Sequence, residues 1–387
     1  MVAVRWLAKS GGSTVKVDFE KWTAAADFVG AFDHVKVVAV GDGALALDPT
    51  GGLPQGSDTA GLYNGGAYYY GSFTTGSRTT PMPFDWAVPS WNAETPPGTW
   101  IQAEFRVQVD GAWTKWYNLG VWTFDTGTVS RHSVNLQGDR DGYVSTDTLM
   151  LKKPAAAYEY RMTLFTLDPA VTPTVKLMSA VAMDTRATDA AFPADTRVWG
   201  TELAVPERSQ MDYLPDGAGW CSPTSTSMVM AYWAAAGANP TWDQTVPTVA
   251  EKCYDYVYDG TGNWPFNTAA AAGYGLEAFV SRFQSMSQVE QWVKAGVPVV
   301  IGIAFNKGAL TGAPITSTNG HLLVVRGFDG NGNVIVNDPA ADRTQGEVVR
   351  IVYDRQELTD AWLGASGVVY IIHPAGHPAP ASLGGGW

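Results

Sequence analysis

The chain has 387 residues and a net charge of −12, and at about 150 residues per domain this length predicts two or three domains. No cluster of Lys or Arg occurs, so nucleic acids and anionic membrane surfaces are poor partners. No apolar stretch of about 18 residues occurs either, which argues against membrane insertion. Two cysteines are too few for a disulfide framework, and nothing in the sequence predicts a cofactor or a metal site.

The first half of the chain, residues 1–190, predicts an all-β, sandwich-like accessory domain. Residues 19–26 predict a short helix, and short apolar or alternating runs separated by turn signals then follow. The clearest run, residues 100–109, is followed by an Asp110-Gly111 hairpin turn. Further predicted strands lie at residues 35–40, 44–47, 67–73, 120–124, 157–164 and 174–181. This spacing is typical of an antiparallel sandwich.

The polar segment 185–200 breaks this pattern and places a domain boundary there. From residue 200 to 375, helical periods come first and strands follow, which predicts an α+β domain. The predicted helices are 223–236, 246–257, 267–274 and 287–295, and the predicted strands are 298–303, 321–328, 333–337, 348–352 and 368–372. The Gly- and Pro-rich residues 376–387 predict a flexible tail.

Cys221 stands where a reactive thiol would be expected. A Gly-Trp loop precedes it, and Pro223 marks the first turn of the helix that follows. The free N–H groups and the dipole of a helix N-terminus favour a thiolate. A thiolate enzyme also needs an imidazole, a group that orients the imidazole, and an oxyanion donor.

The other members of such a set are His321, Asp338 and Gln210. His321 begins one strand and Asp338 ends the next, and the turn at 329–332 would place them side by side. Asn337 or Asp329 could orient the ring instead, and Asp338 could be only a turn residue. Gln210 is the only glutamine shortly upstream of Cys221.

Residues 200–373 resemble the C39-like cysteine peptidases, a branch of the papain-like group. The blocks that carry the resemblance are QMDY from 210, GWCSPTS from 219, NWP from 263, GVPVV from 296, GHLLVVRGF from 320 and NDP from 337. The resemblance implies a papain-like fold for the second domain. It makes Cys221 the nucleophile, His321 the base, Asp338 the orienting residue and Gln210 the oxyanion donor.

The sequence departs from the family pattern at two points. Ser222 follows the cysteine where the family usually has Gly, and the gap from Gln210 to Cys221 is eleven residues, longer than in papain. Relatives that process leader peptides are fused to transporters. This chain has no membrane span or P-loop, so that substrate does not carry over.

The resemblance implies a secreted or cell-surface bacterial thiol peptidase acting on a peptide or protein substrate. Its bonds would be peptide, isopeptide or cell-wall cross-bridge amides, cleaved through an acyl-enzyme, and acyl transfer to an amine uses the same apparatus. Residues 85–181 resemble the β-rich region found before such domains in secreted bacterial proteins. The apolar run at 1–15 is too short for a signal peptide, so an exported protein would have lost its signal from this chain.

The alternative is a catalytically inactive papain-like surface protein whose β-module binds cell-wall glycan. The Trp-rich stretch 86–122 could stack on sugar rings, although core packing explains most such residues. Cys253 lies in a helical pattern without a nearby histidine and is interpreted as a packing residue, and a Cys221–Cys253 disulfide would contradict catalysis. The carboxylates at 139–147 have a calcium-loop-like spacing, but turn chemistry explains them without a metal.

Overall fold

The computed structural model describes residues 15–237 and 239–387. The apolar start that was considered as a signal therefore lies almost entirely outside the described residues. None of the described helices is both long and apolar enough to cross a membrane.

The first part of the chain is built from strands that alternate apolar and polar side chains. Their bounds are β1 Val17–Trp22, β2 Gly30–Asp33, β3 Val35–Val38, β4 Ala44–Leu47, β5 Gln55–Ser57, β6 Ala67–Thr75, β7 Arg78–Glu94, β8 Thr99–Val109, β9 Ala112–Trp113, β10 Tyr117–Trp122, β11 Gly142–Ser145, β12 Thr148–Thr166 and β13 Thr174–Met183. Within the described ranges all thirteen belong to one hydrogen-bonded sheet, with the central order β10-β8-β12-β7-β13-β4-β3. We call it the N-terminal sheet.

The sequence predicts a sandwich-like antiparallel domain, and in the structure all thirteen of its described strands are joined in one hydrogen-bonded sheet. Strand β12 is nineteen residues long and pairs with β6, β7, β8 and β11, so it belongs to several ladders at once. Its register shifts on either side of Ala155, where irregular pairing bends a strand. Local alternation looks the same whether strands lie in one bent sheet or in two flat ones, so the sequence pattern could not distinguish them.

The short helix predicted at residues 19–26 is wrong. Strand β1 covers the first part of that segment and pairs along its whole length with β13, from Val17 opposite Met183 to Trp22 opposite Met178. Residues 23–26 form a turn in which the N–H groups of Thr23 and Ala24 donate to the Asp27 carboxylate. Long-range strand pairing thus overrides the helical propensity of the alanines.

The second part of the chain has helices before most of its strands. The helices are α1 Cys221–Gly237, α2 Val246–Cys253, α3 Trp264–Gly273, α4 Met286–Lys294 and α5 Arg355–Ala365. The strands are β14 Leu276–Arg282, β15 Val299–Phe305, β16 Thr318–Phe328, β17 Val334–Asn337, β18 Arg350–Tyr353 and β19 Val368–Pro374. The strands form an antiparallel sheet of order β14-β19-β15-β16-β17-β18, which we call the C-terminal sheet. Helix α5 and strand β14 were not predicted.

The two sheets are in direct contact through β7 and β14. The Asn92 side chain donates to the Ala278 carbonyl at 2.6 Å and accepts the Ala278 N–H at 3.1 Å. The Val280 N–H donates to the Ser90 hydroxyl at 3.0 Å. One apolar cluster contains side chains from both sheets, among them Val88 and Phe279.

The segment predicted as a flexible tail is packed instead. The Trp387 ring lies 4.9 Å from the Phe283 ring and 5.6 Å from the Trp292 ring, measured between centroids. The Trp387 indole N–H donates to the Pro380 carbonyl at 2.8 Å. A terminal aromatic side chain buries enough apolar surface to hold a glycine-rich segment that has little cohesion of its own.

Candidate active site

Cys221 is the first residue of α1, and α1 is tied to the strand that carries His321. The Ser225 hydroxyl, one turn into α1, donates to the Leu322 carbonyl of β16 at 3.1 Å. The Cys221 sulfur accepts hydrogen bonds from the N–H groups of Leu322 and Ser222. The helix N-terminus and the strand therefore hold the thiol and the imidazole next to each other.

His321 and Asp338 form a buried hydrogen-bonded pair. The His321 Nε2 atom lies 2.7 Å from Asp338 Oδ1, and the two side chains are 4% and 1% exposed. Asp338 also accepts the Ala340 N–H at 3.0 Å and the Tyr353 hydroxyl at 2.8 Å. With Nε2 committed to the carboxylate, the other ring nitrogen of His321 is the one left for Cys221, to which the ring is hydrogen-bonded.

The charges of this group stabilise one another. Burial alone would raise the pKa of the Cys221 thiol, but the hydrogen bond and charge of His321, with two backbone N–H groups, outweigh it and lower that pKa. Burial opposes the charged form of His321, yet Asp338 and Cys221 together raise its pKa well above the usual value. The pKa of Asp338 is lowered, because His321 and the donors around the carboxylate outweigh its desolvation. The site thus favours a thiolate–imidazolium pair.

Gln210 lines the same cleft as Cys221 and His321. Its backbone N–H donates to the Pro339 carbonyl at 2.9 Å, and its side-chain Nε2 donates to the Ala218 carbonyl at 2.9 Å. The turn between Gln210 and Cys221 is tight, because a Cβ on Gly217 would lie 2.1 Å from the Gln210 carbonyl oxygen. The eleven-residue gap is therefore compact, and it keeps Gln210 beside the cysteine.

The alternative partners for the histidine face elsewhere. The Asn337 amide donates to the Val205 and Pro206 carbonyls and accepts from Arg326. The Asp329 carboxylate caps its own hairpin turn by accepting from Asn333. The structure thus brings Cys221, His321, Asp338 and Gln210 together, and none of the bonds of Asn337 and Asp329 in the described residues reaches the ring.

Two supporting residues were missed by sequence reasoning. Tyr353 donates to Asp338 from β18, and it gave no signal because an isolated tyrosine has no motif. The Ser222 hydroxyl lies 3.0 Å from the Tyr370 hydroxyl in the buried centre of the site. Serine at the position where the family usually has Gly therefore has a structural partner here.

Cys253 is a free thiol at the end of α2. It is fully buried, and burial raises the pKa of its thiol to about 12. Cys221 is also free, so no disulfide joins the two.

Four of the six tryptophans in the stretch 86–122 are buried, namely Trp86, Trp91, Trp100 and Trp122. Trp113 and Trp116 are half-buried, and the Arg106 guanidinium lies over both of their rings.

The carboxylates of Asp139 and Asp147 already have protein donors: Asp139 accepts from Asp141, Gly142 and Tyr117, and Asp147 accepts from Trp264 and Thr148. Among the described residues, no group of three or more His, Cys, Asp or Glu is placed to hold a metal ion.

Comparisons with known proteins match two parts of the chain to family models. Residues 202–370 match the family model described as the Peptidase_C39 like family, and residues 18–183 match the model of a Peptidase C39 N-terminal domain. Residues 202–370 are thus similar to a family of the cysteine peptidase type. The resemblance to the C39-like peptidases found in the sequence is confirmed.

Among the similar solved structures is a crystal structure described as a C39-like peptidase from Bacillus anthracis. It is 20% identical, with a TM-score of 0.32, over 43% of this chain and 94% of that chain. No curated protein matches this chain significantly.

Proposed function

We propose that the protein is a secreted cysteine peptidase with a papain-like catalytic region, in which Cys221 is the nucleophile. The observation that carries the proposal is the bond from His321 Nε2 to Asp338, which fixes the ring with its other nitrogen towards Cys221. The lowered pKa of the Cys221 thiol supports a thiolate at neutral pH.

The reaction follows from this geometry. The Cys221 thiolate attacks a peptide carbonyl, and the new oxyanion is held by the Cys221 N–H and by the second N–H of the Gln210 amide, whose first N–H is already bound to Ala218. The His321 imidazolium protonates the leaving amine as the C–N bond breaks, which leaves a thioester on Cys221. His321 then takes a proton from water, which attacks the thioester and releases the acid and the thiolate.

The same steps fit several amide substrates. An isopeptide or a cell-wall cross-bridge presents the same carbonyl and the same amine leaving group as a main-chain peptide bond. If an amine replaces water in the second step, the acyl group is transferred instead of hydrolysed. Secretion or attachment at the cell surface is proposed from the resemblance of both regions to secreted bacterial proteins.

The test is selective thiol labelling followed by a cleavage assay. Iodoacetamide at near-neutral pH should modify Cys221 rapidly, mass spectrometry should locate the adduct there, and His321→Ala should slow the reaction. Peptide cleavage should stop in Cys221→Ala and persist in Cys253→Ala. A sluggish Cys221 whose labelling rate does not depend on His321 would favour the inactive surface protein instead.

A further inference from the structure

The cleft that contains Cys221 is not made by the C-terminal region alone. It has a volume of about 850 Å³, and Gln210, Cys221 and His321 lie on its wall. Four further lining residues, Ser145 to Thr148, belong to the N-terminal sheet. They form the turn between β11 and β12, where Ser145 pairs with Thr148 in the last step of the ladder. We call these four residues the β11–β12 turn.

The β11–β12 turn is fixed against the C-terminal region by a buried carboxylate. Asp147 Oδ2 accepts the Trp264 N–H at 2.6 Å, at the first residue of α3. Its Oδ1 atom accepts the Thr148 hydroxyl at 2.9 Å. Asp147 is only 5% exposed, so the contact holds the turn in place beside the cleft. The turn is therefore a fixed wall, and a substrate has to fit against it.

The wall of the cleft has more acidic than basic side chains among its described lining residues. Asp147 and Asp259 line it, and His321 is the only cationic side chain among its described lining residues. Asp259 is exposed in a left-handed conformation, with φ of 57°. The Gln210 Oε1 atom is a buried acceptor with no partner among the described residues. Acidic side chains thus outnumber basic ones among the residues that line the cleft.

We propose that the β11–β12 turn is a substrate-binding element, and that the cleft selects peptides with a Lys or Arg side chain near the scissile bond over peptides with an acidic one. This inference rests on the proposed peptidase function. A cationic side chain is attracted by the exposed Asp259 carboxylate, whereas an acidic one is repelled by it. The N-terminal sheet is then part of the specificity apparatus.

The first experiment tests the wall. Ser145 is exposed in the turn, and Ser145→Trp should fill part of the cleft, with Ser77→Trp in the β6–β7 turn as the matched control. We expect kcat/KM for a quenched-fluorescent peptide library to fall about tenfold or more in Ser145→Trp, mainly through KM. Labelling of Cys221 by iodoacetamide, which is too small to need the wall, should stay within about twofold. Equal kcat/KM in the two Trp variants would overturn the proposal.

The second experiment tests the charge preference. Peptides that differ only in Lys, Gln or Glu, moved along both sides of the scissile bond, should be cleaved in that order at one or more positions. We expect about a tenfold ratio between Lys and Glu at low salt. Asp259→Asn removes a carboxylate from the cleft wall and should therefore narrow the ratio between Lys and Glu peptides. Asn tolerates the left-handed backbone of this position, so the substitution should not disturb the fold. Asp360→Asn removes an exposed charge on α5 and should leave the ratio unchanged.

The outcomes separate this proposal from the function on which it rests. If iodoacetamide labels Cys221 and peptides are cleaved without regard to charge or to Ser145→Trp, only the cleft proposal is overturned. If Cys221 is not labelled, or is labelled while no peptide is cleaved, the peptidase function itself is contradicted, and the peptide cleft with it.

Discussion

The surroundings of the two cysteines differ in what they offer to a sulfur atom. Cys221 begins α1, where the N–H groups of Ser222 and Leu322 and the ring of His321 donate to it. Cys253 ends α2, where its sulfur lies 3.7 Å from the Ala250 carbonyl oxygen and 4.0 Å from the Thr261 carbonyl oxygen. Donors at a helix N-terminus stabilise a thiolate, and carbonyl acceptors at a C-terminal end do not.

A nearby positive charge is not enough to lower the pKa of the Cys253 thiol below its ordinary value. Arg131 is buried close enough to Cys253 to lower the thiol pKa, yet burial prevails and the pKa is raised. Each of the three guanidinium nitrogens donates to a carbonyl oxygen, of Thr123, Phe124 or Glu251, instead of to the sulfur. His321 differs because its free nitrogen faces the sulfur. Hydrogen-bond donors that face the sulfur therefore lower the pKa of a buried thiol more effectively than a nearby charge that makes no hydrogen bond to it.

The largest expected effect is the difference in reactivity between the two thiols. At pH 7.5 we expect iodoacetamide to label Cys221 at least about 1,000-fold faster than Cys253, because a thiol with pKa near 12 is almost wholly protonated there. Peptide mapping of the native protein over time measures both rates. After unfolding in guanidinium, the two cysteines should be labelled at similar rates. Similar rates in the native protein would show that Cys221 is not activated relative to Cys253.

Removing the His321 imidazole should raise the pKa of the Cys221 thiol and slow its labelling. The thiolate of the wild type persists as pH falls until the lowered pKa of Cys221 is reached, and the imidazolium persists as pH rises until the raised pKa of His321 is reached. We therefore expect a bell-shaped kcat/KM with a broad plateau. In His321→Ala, labelling at pH 6.5 should fall about 100-fold as the thiol pKa rises.

The control for His321→Ala is His34→Ala. His34 is an exposed histidine paired with Asp33 in the N-terminal sheet, so its loss removes an imidazole without touching the thiol. An unchanged labelling profile in His321→Ala would show that the helix N-terminus alone activates Cys221.

Two buried carboxylates extend the comparison from thiols to acids. Asp338 faces His321 and its pKa is lowered, whereas Asp147 lacks such a partner and burial raises its pKa to about 7. Unfolded Asp147 loses its proton near pH 4, so the folded state binds more protons between about pH 4 and 7 and stability falls as pH rises. Relative to Asp147→Asn, the wild type should lose about 2–4 kcal/mol of unfolding free energy from pH 4 to pH 8.

Urea unfolding at a series of pH values measures this difference between wild type and Asp147→Asn. Asp360→Asn, an exposed change of the same charge, should give a curve parallel to the wild type. A pH-independent gap between wild type and Asp147→Asn would mean that Asp147 is already ionised at pH 5.

The smallest expected effect tests the second oxygen of Asp338. Tyr353→Phe removes a donor from that carboxylate and should cost about 1–2 kcal/mol. With one donor fewer, the carboxylate is more basic and holds the imidazolium proton to a higher pH. The alkaline limb of kcat/KM should therefore move to higher pH, and activity on the plateau should fall severalfold because the imidazolium is a weaker acid.

Tyr117→Phe is the matched control for Tyr353→Phe. Tyr117 is also buried and donates to a carboxylate, Asp139, at 2.7 Å in the N-terminal sheet. It should lose similar stability and keep the wild-type pH profile. If kcat/KM depends on pH in the same way in both variants, Tyr353 contributes to stability only and does not act through Asp338.

Local chemistry made much of the site readable from sequence. The loop before Cys221 and Pro223 after it mark a helix start, and the turn at 329–332 joins the strands that carry His321 and Asp338. These signals lie within a few residues of the atoms they position. The predicted helices and strands of this region therefore differ from the structure mainly by a few residues at their ends.

Contacts between distant segments could not be read in this way. The bond of Asp147 to Trp264 joins residues 117 positions apart, and no local pattern in either segment predicts it. The bent N-terminal sheet was missed for the same reason, because β12 shows only that one of its faces is apolar. Strand β14 is buried on both faces, and its polar residues Glu277, Ser281 and Arg282 do not alternate with its apolar ones, so no strand pattern marks it.

The paired side chains of Ser90 and Asn92 have a consequence for anyone who redesigns this protein. Strand β14 is an edge strand of the C-terminal sheet, and two of its N–H groups, which would otherwise bind water, donate to Asn92 and Ser90. Apolar side chains from both sheets surround these bonds. Cutting the chain near residue 200 to obtain a minimal enzyme would expose apolar side chains and unpaired backbone groups of β14, and would promote aggregation. Replacing the N-terminal sheet by another domain would require side chains that make the same contacts with β14.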